Sequence, residues 1–294
     1  MQIQKDKLLS SLTTIKVGGK AKEYTSISSY VDLRIAFAYA KEHHLDVFIL
    51  GKGSNLLCND EGFDGLVIHN KINFVEFQKN EQLHVYIGAG YSFSLLGSQT
   101  AREGYTGLEF ASGIPASVGG AIFMNAGANG SETCDCLTEV EFLDLNGNVS
   151  IHSKESLAFS YRYSSFQKMR GAIVGARFAL NPSPLAREKQ LNIIQYRKNT
   201  QPLTDPSAGC IFRNPEAEHA GALIEKCGLK GLQEGSAAVS TIHGNFIINK
   251  GGAQAKDIEA LIAKIQQEVK LQTGFFLESE VRRLPYVVEK KHDI

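Results

Sequence analysis

The chain has 294 residues, enough to bury at least one substantial core, and its 43% hydrophobic and 21% charged residues are ordinary for a globular protein. Its 31 basic and 31 acidic residues cancel without a basic stripe, which argues against nucleic acid as a partner. No apolar run approaches bilayer length, the N-terminus has no signal-peptide core, and five scattered cysteines fit a reducing cytoplasm better than a disulfide framework.

In chain order, the pattern predicts a helix over 29–44, with Ser29 as its N-cap and Val31, Ile35, Ala36 and Tyr39 at helical spacing. Asp46–Leu50 reads as a strand that feeds the loop Gly51–Asn55. Leu66–His69 and Leu83–Ile87 read as strands, and Ser92–Arg102 as a helix ending before Gly104. Glu139–Leu145 and Asn148–His152 flank Asn146-Gly147, a hairpin signal. Ile173–Leu180 is a further strand, Pro182 and Pro184 mark a break, and Arg187–Arg197 is helical. Ala220–Cys227 reads as a helix, Asn245–Ile248 as a strand, and Asp257–Gln272 as an amphipathic helix with Ile258, Leu261, Ile262, Ile265 and Val269 on one face. Phe275–Leu284 is expected to close the chain as a strand. Strands followed by mixed elements argue for an α+β architecture, not a doubly wound sheet.

Two glycine-rich stretches stand out, Leu50–Leu57 (LGKGSNLL) and Gly113–Gly130 (GIPASVGGAIFMNAGANG). Stretches of this kind bury few side chains and expose backbone N–H groups to a flat or anionic ligand. One such loop alone reads as a tight turn. Two together, with Ser54, Asn55, Ser117 and Asn125 as polar contacts, point to a nucleotide cofactor with a pyrophosphate. Neither stretch completes the dinucleotide fingerprint G-x-G-x-x-G, and no P-loop pattern occurs.

Three other stretches carry polar chemistry. In Tyr161-Arg162-Tyr163 the arginine fork suits a carboxylate, although a surface arginine stacked on an aromatic neighbour accounts for the same residues. Cys210, after Ser207-Ala208-Gly209, could be an acid, a nucleophile or a small core residue. Glu278 and Glu280 share a face in a strand, as paired acids or as a solvated edge. No His, Cys and Asp spacing suits a metal, and Cys134-x-Cys136 lacks a partner pair, so no metal is expected.

Together the segments ILGKGSNLL, GAGYS, GLEFASGIPASVGGAIFMNAGANG, YRYSSF, QPLTDPSAGCIFRNP, AGALIEKCGLKGLQEGSAAVS, HGNFIIN and FLESEVR resemble one family, the UDP-N-acetylenolpyruvoylglucosamine (MurB) reductases of peptidoglycan synthesis. The resemblance runs from Thr13 to Arg282. It implies two FAD-binding lobes of the vanillyl-alcohol-oxidase type, expected over 1–70 and 71–183, and a substrate-binding domain over 184–294. It also implies non-covalent FAD, NADPH as co-substrate and a UDP-linked sugar as substrate. The expected enzyme is cytoplasmic, a monomer or weak dimer, with no nucleic acid or membrane partner.

By position, Arg162 matches the family's catalytic arginine and Glu280 its catalytic glutamate. Where the family's usual serine protonates the intermediate, this chain has Cys210. A thiol, with a reference pKa of roughly 8.5, gives up a proton more readily than an alcohol. Gly51, Lys52, Gly53, Ser54 and Asn55 resemble the first FAD loop, and Gly113, Ile114, Ser117, Gly119, Gly120 and Asn125 the second. Arg213, Asn214, Lys226, Lys230, His243 and Asn245 are candidate substrate contacts. The short path from Arg162 to Cys210 resembles the family's shorter subclass, without an inserted tyrosine loop. Two rivals are a flavin oxidase on the same lobes, with Cys58 near the first loop, and a nucleotide-binding module that has lost its chemistry.

Overall fold

The structure is a computed structural model that describes residues 1–285, so the last residues of the sequence lie outside it. The chain divides into two compact units, each built from separate stretches. The first comprises Met1–Gln4, Glu23–Lys52 and Gly65–Asn199, the second Lys5–Lys22, Gly53–Asp64 and Thr200 onward.

In the first unit, Asp46–Leu50 pairs in parallel with the stretch from Gly65 to His69 in one sheet. Helix α1, Tyr30–Glu42, packs on it. The Ser29 hydroxyl accepts the Asp32 N–H at 3.1 Å, so the expected N-cap holds. Of the residues at helical spacing Ala36 is buried, together with Leu33, Phe37 and Ala40, whereas Val31 and Ile35 are 61% and 47% exposed. The helix carries two apolar stripes, and the sheet takes the one with the larger Leu33 and Phe37.

The second sheet of this unit is antiparallel, in the order Val149–Ser153, Leu137–Asp144, Gly171–Pro182, Leu83–Gly88, Val75–Lys79. The hairpin around Asn146-Gly147 forms as its turn residues dictate, pairing Leu143 with Val149. Helix α2, Phe93–Arg102, and the six-residue α3, Val118–Phe123, bury their apolar sides in the core under this sheet, and α4, Ala186–Thr200, follows it. The second glycine-rich stretch is therefore not loop throughout. Ser117 caps α3, and Val118, Ala121 and Ile122 are fully buried.

His69 sits in the first unit with Nδ1 3.1 Å from the Tyr24 hydroxyl. Burial, aided by the charge of Lys71, pushes its pKa down to about 4. The unfolded chain binds a proton near the ordinary value of about 6.5, and the folded chain resists until about 4. Stability is therefore expected to fall as pH drops through that window. Thermal unfolding of wild type and His69→Asn across it checks this, the variant showing the shallower decline.

The second unit pairs Ser207–Cys210, Phe246–Asn249, Ala237–Val239 and Gln233–Glu234 in one antiparallel sheet. Helix α5, Ala220–Lys226, and α6, Ala255–Thr273, cover its core. All five expected apolar residues of α6 are buried. The Asp60 carboxylate accepts the Ala255 and Lys256 N–H groups at 2.7 and 3.1 Å, a negative charge where the helix start favours one. The expected strand Phe275–Leu284 is shorter. Only Arg282–Leu284 is a strand, parallel to Leu56–Cys58, while Ser279 makes a single bridge to Phe212. A bend at Val281 separates the two pairings and breaks the ladder. No helix among the described residues is long and apolar enough to cross a membrane.

Candidate active site

In the first unit several glycines of these segments sit where a Cβ would meet a neighbour. A Cβ on Gly51 would collide with Ser117 Oγ, and one on Gly119 would lie 2.9 Å from Ala89 Cβ. Gly119 N–H donates to Ala89 O at 2.8 Å and Val118 N–H to Tyr91 O at 2.9 Å, which ties α3 to the GAGYS segment. Lys52 Nζ donates to Ser92 Oγ at 2.7 Å, and burial lowers its pKa. Gly113 lies against the Arg197 side chain, with Ile114 half-buried beside it.

These residues suit a pyrophosphate cofactor on structural grounds. Ser112 Oγ, next to Gly113, is buried without a protein partner. Among the described residues, the main-chain N–H groups of Lys52, Gly53 and Ser54 find no protein acceptor. Consecutive amides without a protein acceptor are the kind of donor set that an anion such as a diphosphate takes. Ser117 spends its oxygen on the Gly120 N–H at 3.2 Å as the cap of α3. Asn125, expected beside the cofactor, is fully buried with its amide engaged by Glu132, Ser160 and Cys134.

Arg162 occupies the tip of a tight hairpin. Phe159–Ser160 pairs with Tyr163–Ser164, and the two residues between form the turn. Arg162 has φ of 56°, in the left-handed region where such a turn ordinarily takes glycine. Its Nη2 donates to Gly127 O at 3.1 Å, and its guanidinium carbon stands 4.8 Å from the centre of the Tyr161 ring. The hairpin is pinned to the end of α3. Ser164 Oγ and Gln167 Nε2 both donate to Phe123 O, at 2.8 and 3.0 Å, and Gln167 also donates to Arg162 O at 3.0 Å.

The second unit brings Asn55, Cys210 and Glu280 together through their main chains. Glu280 N–H donates to Ile211 O at 2.7 Å, one residue past Cys210, and Arg213 N–H donates to Glu278 O at 2.9 Å. Asn55 O accepts the Arg282 N–H at 3.1 Å, and Asn55 Nδ2 reaches Glu280 O at 3.4 Å. Cys210 is half-buried at the end of a strand with one extra residue between Ser207 and Cys210, a bulge with Gly209 at φ 78°. Bulges of this kind re-aim a side chain out of a regular ladder.

The expected substrate contacts behave differently from one another. Asn245 is buried, with its amide clasping the Phe212 N–H at 2.9 Å and Phe212 O at 2.8 Å, so it secures the segment after Cys210. His243 Nδ1 accepts the Asn245 N–H at 3.1 Å. Asn214 Oδ1 accepts the Ala220 N–H at 3.0 Å, at the start of α5. Arg213 is half-buried, Lys226 is exposed, and Lys230 pairs with Glu225 at 2.8 Å. Thr14 went unnoticed in the sequence. Its hydroxyl donates to Ser207 O at 2.7 Å while its N–H donates to Gly53 O at 3.1 Å, joining the first glycine loop to the Cys210 strand. No local pattern signals such a contact between residues 193 positions apart.

An FAD binding domain family matches residues 24–152, so the chain is a flavoprotein of α+β architecture. A second family model, the C-terminal domain of UDP-N-acetylenolpyruvoylglucosamine reductase, matches residues 201–284. The chain is 55% identical to the UDP-N-acetylenolpyruvoylglucosamine reductase of Protochlamydia amoebophila, covering 98% of this chain and 96% of the relative. It is 45% identical to that of Chlamydia trachomatis serovar L2, covering 97% of each. The crystal structure of UDP-N-acetylenolpyruvylglucosamine reductase from Thermus caldophilus superposes with a TM-score of 0.81 at 35% identity, covering 96% of this chain and 99% of that one. The chain belongs to the UDP-N-acetylenolpyruvoylglucosamine reductase family of oxidoreductases.

Proposed function

We propose that this chain reduces UDP-N-acetylenolpyruvoylglucosamine to UDP-N-acetylmuramate with electrons from NADPH. The observation that carries this reading is 55% identity to a reductase of that name across 98% of the chain. FAD, when bound, supplies the hydride transfer. Residues 1–70 and 71–183 serve as its two lobes in this reading, and 184–294 as the part that takes the sugar nucleotide. Lys52, Gly53, Ser54 and Asn55 offer the cofactor amides and polar atoms beside Gly51. Gly113, Ile114, Ser117, Gly119 and Gly120 form the second wall.

As hydride reaches the methylene carbon of the enolpyruvyl group, negative charge develops toward its carboxylate. Arg162 stabilises that charge with a guanidinium fixed before the reaction begins, which is where electrostatic catalysis gains most. Cys210 Sγ–H gives its proton to the neighbouring carbon, and the thiolate is reprotonated from solvent. Glu280 orients the carboxylate end of the substrate. Arg213, Asn214, Lys226 and Lys230 meet the nucleotide part, with His243 and Asn245 holding the segment that presents Cys210.

The test is NADPH oxidation by the purified protein with and without UDP-N-acetylenolpyruvoylglucosamine. Turnover that requires the sugar nucleotide is expected. Oxidation indifferent to it would favour the oxidase reading, and none at all a module without chemistry. Acid denaturation is expected to release yellow colour from the chain. Cys58 is a poor covalent anchor, being fully buried with its thiol pushed up to about 12 by that burial.

A further inference from the structure

Asn125 is a fully buried polar side chain that touches both the Arg162 turn and the ribbon beside it. It follows α3 with φ of 42° and is 0% exposed. Nδ2 donates to Ser160 O at 3.1 Å, and Ser160 pairs with Tyr163 to open the turn. The same Nδ2 donates to Glu132 Oε2 at 2.8 Å, and Oδ1 accepts the Cys134 N–H at 3.1 Å. Glu132 pairs with Gly127 across a two-residue ribbon, and Gly127 O receives Arg162 Nη2 at 3.1 Å. One amide thus joins the backbone that carries the arginine to the ribbon that receives its guanidinium. An amide engaged at both ends by protein groups is badly placed to serve a cofactor as well.

We infer that Asn125 is a positioning residue for Arg162: it holds the turn and the Gly127 ribbon in register, so that the guanidinium points one way. This rests on the proposed action of Arg162 on the substrate. Loss of the amide leaves Ser160 O and the Cys134 N–H without their partner and frees the turn to shift. A displacement of about 1 Å in a group that acts on the reacting atoms lowers the rate by about a hundredfold.

The test is a double-mutant cycle on holoenzyme reduced chemically without NADPH, then mixed with UDP-N-acetylenolpyruvoylglucosamine and followed at the flavin absorbance. Asn125→Ala is expected to slow this single turnover by about tenfold to a hundredfold, with FAD affinity unchanged. In an Arg162→Ala background it is expected to add no further loss. Equal loss in both backgrounds overturns the inference, as does weakened FAD binding with a normal single-turnover rate. Should Arg162→Ala itself react at the wild-type rate, the reading of Arg162 fails first and this inference falls with it. If Asn125→Ala does not fold, Glu132→Ala removes one partner of the same amide and passes through the same cycle under the same criteria.

Discussion

Replacing Arg162 with glycine is expected to leave folding stability within about 1 kcal/mol of wild type while slowing hydride delivery to the sugar nucleotide by about 10²–10³-fold. The two effects separate because the backbone and the side chain of Arg162 serve different ends. Its φ of 56° suits glycine, and a non-glycine residue there costs roughly 1–3 kcal/mol. Glycine removes that strain but forfeits the bond to Gly127 O and the stacking on Tyr161, each about 1 kcal/mol. Catalysis has no such compensation, because nothing else in this hairpin carries a fixed positive fork. Arg162→Lys keeps the charge and the strain but not the fork, and is expected to be slow as well. Chemical denaturation and single-turnover kinetics on the same samples check this. A glycine variant that is both stable and fast would remove Arg162 from the chemistry.

Cys210→Ala is expected to accept electrons from NADPH at the normal rate but to pass them to the sugar nucleotide about 10²–10⁴-fold more slowly. Cys210→Ser is expected to retain substantial activity. The alanine fills nearly the same space on the bulged strand, so the fold is expected to survive. What it lacks is a proton on Sγ. Serine restores a proton donor at the same position, of higher pKa than a thiol. Stopped-flow absorbance resolves the two half-reactions, and an alanine variant with a normal second half-reaction would end the proton-donor role. The bulge matters to this outcome: Gly209 at φ 78° and the Asn245 clasp on Phe212 decide where position 210 points, whichever atom it carries.

Elements whose signals are local were legible in the sequence. Helix α6 followed from its apolar spacing and the hairpin from Asn146-Gly147, because each needs only neighbouring residues. Helix α1 was legible as a helix but not in its buried face, since two stripes compete and only the sheet chooses between them. Helix α3 was hidden by glycines that disfavour helix, although Ser117 three residues before Gly120 marks a cap. Asn125 reads in the sequence as a polar contact to the cofactor, and its three protein partners, 7 to 35 positions away, have no local signal. The short final strand depended on a change of pairing partner at Val281, which no sequence window contains.

The broken chain order of the second unit bears on biosynthesis. Its core joins Ile15, Val17 and Leu57 to residues from Ala208 to Val281, and Asn249 reaches Ile15 O across 234 positions. A ribosome emits the early strips long before their partners exist. Their core partners follow only from Ala208 onward, whereas most of the first unit is one uninterrupted run from Gly65 to Asn199. Truncation shortly before Leu277 is therefore expected to leave the early strips of this core without Leu277 and Val281, exposing apolar surface that favours aggregation.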